Sequence, residues 1–269
     1  MKNKKRKIED LLLLIAGGIF IGCAVWLWTV YSGYKKGSDE YQDLYADVVQ
    51  TRVESDQSGG VDRPVHGAAD EENISAGQEE EYVMLQIDFA ALQEINPDVV
   101  GWIDMPGLKI SYPVVQAEDN QYYLNKTFRK ETNLAGSIYM DFRNQADMSD
   151  RNTIIHGHNM KNRSMFGNLK EYGEEGVAEA NTEFYFYTPE KVYRCEVISY
   201  RTVSAVMEEY PTGFATEEEF KEFVRKAVRN SWYDFPTEVE DGDRIITLST
   251  CTSSDTSRFV VQARLVEVE

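Results

Sequence analysis

From Leu11 to Tyr34 the chain runs 24 residues without a charge. A helix rises about 1.5 Å per residue and roughly 20 residues cross a bilayer core, so this run predicts a membrane-spanning helix. The basic cluster KNKKRK precedes it, and Trp26, Trp28, Tyr31 and Tyr34 near its far end make an interfacial belt. A cleaved signal peptide is the competing reading, but its apolar stretch spans about 7 to 15 residues and closes on a small-x-small site. No such site follows Trp28. Because positive residues stay inside, residues 1–10 form a cytoplasmic tail, 11–34 a transmembrane anchor, and the rest lies outside the cell.

The rhythm then changes. Tyr41, Leu44, Tyr45, Val48 and Val49 recur at helical spacing behind Asp39 and Glu40, which predicts a short juxtamembrane helix. Beyond it, apolar periodicity stops. Residues 35–81 hold 4 basic and 13 acidic positions, so the segment repels itself and is expected to act as an acidic stalk. His66 lies in this stretch as a solvated bystander.

Residues 82–269 read as one domain. Asp88 is placed to cap a short helix carrying Phe89, Leu92 and Ile95, stopped by Asn96-Pro97. Short β-like runs follow: WIDM, KISYPVVQ, GSIYMDF, NTIIHGH, EFYFYT, KVYRCEVISYRTV, DRIITLST and SRFVVQARLVEV. They are rich in β-branched and aromatic residues and separated by turn residues, which favours an antiparallel barrel or sandwich over an α/β sheet. One clear helix interrupts them, from about Thr216 to Trp232, with Phe220, Phe223, Val224, Ala227 and Val228 on its apolar face. Thr216 followed by Glu219 fits a capping box at its start.

Composition narrows the function. The 269 residues carry 28 Lys+Arg against 46 Asp+Glu, a formal net charge of −18. Without the first ten residues the balance is 23 basic to 44 acidic, so the outer part repels phosphates and nucleic-acid binding is excluded. Three cysteines, Cys23, Cys195 and Cys251, do not make a disulfide framework. There is no glycine-rich phosphate loop and no CxxC pair, so neither an organic cofactor nor a structural metal is expected.

Cys251 ends the strand ITLSTC, sharing a face with Thr247 and Ser249 while Ile246 and Leu248 take the other. A thiol where a strand gives way to the polar run TSSDTS is expected to be partly exposed; the competing reading is a small core residue. Cys195, mid-strand between apolar positions, is expected in the core, and Cys23 falls within the membrane run. His156 and His158 form HGH just after the strand run TII. They could be two metal ligands, though a third at motif spacing is missing. One could be the proton-transfer partner of Cys251, or both could be hydrogen-bonded loop residues. Arg258 opens the last strand seven positions after Cys251, and a tight loop between antiparallel neighbours would set it beside the thiol. Its guanidinium would suit an oxyanion there; a solvated surface arginine is the alternative.

TLSTC, the arginine opening the next strand and the upstream GH pair together resemble the sortase signature. INPDVVGWI, GSIYMDFRN, NTIIHGHNM followed by SMFGNL, and the helix before TLSTC resemble class B sortases in particular, over about residues 82–269. The resemblance implies a closed eight-stranded β-barrel with an added N-terminal helix and a helix inserted before the catalytic strand. It also implies a membrane-anchored cysteine transpeptidase of Gram-positive cell surfaces that needs no cofactor. On that resemblance Cys251 is the nucleophile, His158 the acid/base and Arg258 the group steadying substrate and oxyanion, while His156 is structural. The substrate would be the sorting-signal peptide of a surface protein, cut after threonine. The acceptor would be an amine of a peptidoglycan precursor or a pilin lysine. Ser249, Thr250, Asn159 and Met165 are the substrate-binding candidates. Some class B members carry an acid directly after the cysteine. Here that position is Thr252 and the nearest acid is Asp255, which favours a Cys-His-Arg set over a Cys-His-Asp triad. A hydrolytic cysteine peptidase would use the same pair, and a non-enzymatic tethered binding module would bury Cys251.

Overall fold

A computed structural model describes residues 2–51, 83–205, 210–252 and 256–268 of the chain; His66 and Asp255 lie outside these segments. Helix α1 runs unbroken over Lys2–Val48, and a short antiparallel pair, β1 (Val49–Thr51) with β2 (Leu85–Ile87), follows it. The stretch Ile15–Val48 is long and apolar enough to cross a membrane by length and composition. Its two halves differ. Ile19, Phe20, Trp26 and Trp28 are exposed, whereas Tyr41, Leu44 and Val48 are buried against the rest of the fold. The predicted juxtamembrane periodicity is therefore real but continuous with the upstream helix. The stalk expected from residue 35 is helix as far as Val48, because its apolar stripe finds a partner surface.

Asp88 caps α2 (Phe89–Ile95) by accepting from the Ala91 amide, and Asn96 ends the helix, as the sequence predicts. The eight predicted strand runs become eight strands. They are β3 (Val99–Met105), β4 (Ile110–Val115), β5 (Ile138–Met140), β6 (Asn152–Gly157), β7 (Glu183–Tyr187), β8 (Val192–Ser204), β9 (Arg244–Cys251) and β10 (Ser257–Val268). They close into a barrel in the order β10-β8-β7-β3-β4-β5-β6-β9. The expectation of an antiparallel sheet is corrected at two places. The pairs β4–β5 and β6–β9 are parallel, the first made possible by the long crossover of residues 116–137.

The barrel is filled by its strands, with Ile103, Phe184, Phe186, Ile138, Ile155, Leu248 and Val261 among its fully buried side chains. One helical turn, α3 (Val177–Ala180), precedes β7, and α4 (Glu217–Arg229) lies between β8 and β9. Thr216 caps α4 by accepting from the Glu219 amide. Phe220 and Val224 pack on Ile198 and Ile245 in a second cluster outside the barrel interior. Val228 stays 38% exposed, so the apolar face of α4 is narrower than its sequence implies, and the helix ends three residues before Trp232.

Candidate active site

The strand RIITLSTC explains the placement of the thiol. Ile246 and Leu248 enter the barrel core, so Thr247, Ser249 and Cys251 take the opposite face, where Ile245 packs under α4. In the antiparallel ladder to β10, Cys251 lies directly across from Arg258. In the parallel ladder to β6, Gly157 pairs with Thr250, so the next residue on each strand is His158 and Cys251. Register alone thus sets Cys251 between the histidine and the arginine, at the barrel rim and half-buried.

His158 is held from two sides. Its Nε2 lies 2.7 Å from the Leu124 carbonyl in the β4–β5 crossover, and its own carbonyl accepts from the Phe166 amide at 3.0 Å. A carbonyl can only accept, so Nε2 carries a proton and Nδ1 is left to exchange one. Gly157 makes this turn possible, since a Cβ there would lie 2.4 Å from Ile138 Cδ1 and 2.7 Å from the Phe166 ring. The glycine of the GH pair is thus a packing requirement. Arg258 donates from Nη1 to the Ser257 carbonyl at 3.0 Å.

Beside the thiol lies a second layer. Tyr139 and His156 are ladder partners and pack ring to ring with centroids 5.1 Å apart. Burial pushes the Tyr139 phenol up to about 12; the neighbouring Asp141 and Cys251 act in the same direction and Arg258 opposes them. Tyr139 therefore stays a neutral phenol within electrostatic reach of both Cys251 and Arg258. His156 Nε2 contacts Asp141 Oδ2 at 3.1 Å, and Asp141 also accepts from Arg143 Nε at 2.8 Å and from Asn120 Nδ2 at 2.9 Å. Burial alone would raise the Asp141 carboxyl, but these donors hold it well below the usual carboxylate range.

The remaining sequence candidates separate. Ser249 shares the face of Cys251 and pairs with His156, buried at the site floor. Thr250 falls on the opposite, inward face, turned from the thiol, with a buried Oγ1 that has no hydrogen-bond partner among the described residues. Asn159 and Met165 bridge to each other and close the loop after His158. Met165 is fully buried with its amide donating to the Tyr112 hydroxyl, so its side chain supports the loop from inside and does not line a groove. Cys195 sits in the core, where burial pushes its thiol well up. Surface clefts run along α1, lined among others by Trp28, Lys36 and Tyr112, but they carry no thiol and no imidazole; chemistry locates the site. Sequence reading missed the Leu124 carbonyl, Tyr139 and Asp141. Tyr139 had a signal, being one strand over from HGH in GSIYMDF, whereas a backbone acceptor leaves none.

The chain is similar to known proteins. The Sortase domain family matches residues 103–266. Sortase B of Listeria monocytogenes is 36% identical over 178 residues, covering 65% of this chain and 72% of the relative. Sortase B of Staphylococcus aureus is 34% identical over 183 residues, covering 67% and 75%. Among solved structures, sortase B from Bacillus anthracis in complex with AAEK1 superposes with a TM-score of 0.70 at 33% identity, over 89% of this chain and 100% of that one. A Staphylococcus aureus sortase B–substrate complex gives 0.64 at 34% identity, over 67% and 85%. With eight barrel strands in place and a thiol set between histidine and arginine, the chain belongs to the sortase family, alongside its class B members.

Proposed function

We propose that this sortase cleaves a C-terminal sorting signal after threonine and transfers the new acyl end to a cell-surface amine, held at the membrane by α1. The observation that carries the reading is the placement of Cys251 between His158 and Arg258 on adjacent strands. The Cys251 thiolate adds to the threonine carbonyl. The resulting oxyanion is steadied by the Arg258 guanidinium, a planar multiple donor. Collapse breaks the peptide bond, and protonated His158 gives its proton to the departing amine through Nδ1. The thioacyl enzyme remains. An incoming amine then adds to the thioester and surrenders a proton to His158; the C–S bond breaks and the thiolate returns. A peptidoglycan cross-bridge amine or a pilin lysine fits that second step.

Support for the tether comes from the exposed Ile19, Phe20, Trp26 and Trp28 on a helix long enough to span a bilayer, preceded by a basic tail. The test is intact-mass analysis of the full chain in detergent, mixed with a pool of sorting-signal peptides, with Cys251→Ala alongside. A mass gain equal to the peptide cut after its threonine, absent in the variant, supports the reading. Adding candidate amines then separates transfer from hydrolysis. If no adduct forms, or if water captures the acyl group at every amine concentration, the transpeptidase reading falls.

A further inference from the structure

The Leu124 carbonyl that holds His158 is not on a barrel strand; it belongs to the 116–137 crossover, and that crossover is clamped by α1. Tyr41 makes the central contact. Its hydroxyl donates to the Gly136 carbonyl at 2.9 Å and accepts from the Phe128 amide at 3.2 Å, in a buried setting. Gly136 adopts a left-handed φ of +58° and lies so close under the crossover that a Cβ there would be 2.6 Å from the Leu124 oxygen. The chain of contact is therefore short: Tyr41 hydroxyl to Gly136, Gly136 against Leu124 O, Leu124 O to His158 Nε2. A second route reaches the same histidine. The Tyr41 ring packs edge-on against Tyr112, with centroids 5.3 Å apart, and the Tyr112 hydroxyl accepts from the Met165 amide, which closes the loop after His158.

Three more contacts seat the crossover on α1. Asn133 Nδ2 donates to the Gly33 carbonyl at 2.9 Å, the Arg129 amide donates to Glu40 at 2.9 Å, and Lys36 pairs with Glu131 at 2.5 Å. With Tyr41, these attach to the helix at positions 33–41, at and just beyond the end of the apolar run. A shift of α1 relative to the barrel would move the Leu124 oxygen and with it the imidazole, and small displacements of a proton-transfer group are costly in rate.

We infer that Tyr41 is a positioning residue for His158, so that the juxtamembrane half of α1 is part of the catalytic apparatus as well as a tether. The inference rests on the reading of His158 as acid/base. The experiment uses the full chain in detergent micelles and follows transfer of a sorting-signal peptide to an amine, as kcat, KM and a pH–rate profile, with thermal melting in parallel. Tyr41→Phe keeps the ring and deletes the hydroxyl, and Tyr112→Phe removes the acceptor for Met165. Thr216→Ala, at the α4 cap, serves as a variant destabilised elsewhere. The expected result is a kcat lowered about tenfold in Tyr41→Phe, with KM within about twofold and a displaced His158 limb of the profile. Tyr112→Phe should move the same way, while Thr216→Ala lowers only the melting temperature. An unchanged kcat and unchanged profile in both tyrosine variants overturns the inference, whatever happens to their melting. His158→Asn is run beside them: if it stays active, the acid/base reading itself fails, a result distinct from failure of the Tyr41 route.

Discussion

At the scale of single residues, the site separates groups that react from groups that only fill space. Cys251 and Cys195 are both thiols on barrel strands, yet one is half-buried at the rim and the other is in the core with its thiol pushed well up. Since the thiolate is the reactive form, a thiol reagent should modify Cys251 in the folded protein and reach Cys195 only after unfolding. Peptide mapping of the labelled chain in denaturant and in buffer checks this. A folded-state Cys251 that resists labelling would favour a binding module over an enzyme. Arg258 is the second residue-scale test. Removing one fixed oxyanion donor typically lowers kcat by about 10²–10³-fold, equivalent to about 2.7–4 kcal/mol. Arg258→Ala is expected to show that loss with an unchanged melting temperature. Arg258→Lys should recover part of it, because an ammonium keeps the charge but not the planar fork. Full turnover in Arg258→Ala would remove the arginine from the mechanism.

At the scale of elements, the lock between β5 and β6 carries the sharpest pH prediction. Asp141, just after β5, binds His156 of β6 and also Arg143 and Asn120, and its carboxyl is held below the ordinary range. A depressed folded-state value means that the carboxylate stabilises the fold above its unfolded value of about 3.9, and that this contribution drains away as pH falls through and below that value. Wild-type melting should therefore drop more steeply from about pH 5 to pH 3 than that of Asp141→Asn. Near neutral pH the variant should be less stable by about 2–3 kcal/mol, the cost of losing charge-assisted bonds to a buried group. Parallel acid-melting curves for the two proteins would contradict this. Elements are also where the sequence speaks most clearly. Eight β-rich runs bounded by turn residues located eight strands, and Asp88 and Thr216 marked two helix starts, because caps and strand propensity are local properties. The parallel pairs β4–β5 and β6–β9 were hidden, since they depend on how a barrel closes across long sequence distances. The site follows the same division. Cys251 and His158 stand at the ends of β-rich runs that composition and turn residues reveal. The full burial of Met165 shows only in the packing of the loop after His158. Leu124 acts through its carbonyl, which no side-chain pattern encodes.

At the scale of the whole molecule, the question is where the folded domain starts. Charge density from residue 35 onward argues for a stalk, but the apolar stripe of Tyr41, Leu44 and Val48 is buried, with Leu44 fully so. Fully burying such a side chain contributes about 1.5–3 kcal/mol relative to exposure, an upper bound given a compact unfolded chain. The sum is partly offset by the entropy of ordering the helix, at about 1–2 kcal/mol per fixed residue. That cost is reduced here because the upstream half of α1 already nucleates the helix, and propagation fixes one residue per new hydrogen bond. The packed segment should therefore contribute a few kcal/mol to the domain it rests on, and removing it would also strip β2 of its partner β1. Chains beginning at Lys35 and at Val83 make the comparison direct. At about 2–4 °C per kcal/mol for a domain of this size, the shorter chain is expected to melt about 5–10 °C lower. Its sheet content by far-UV circular dichroism should be nearly unchanged, because the barrel closes without α1. Equal melting temperatures would mean that residues 35–48 only rest on the barrel. A large drop would mean that the barrel and the second half of α1 are one cooperative unit, with the fold's boundary set by packing at Tyr41 and not by the change in charge at Lys35.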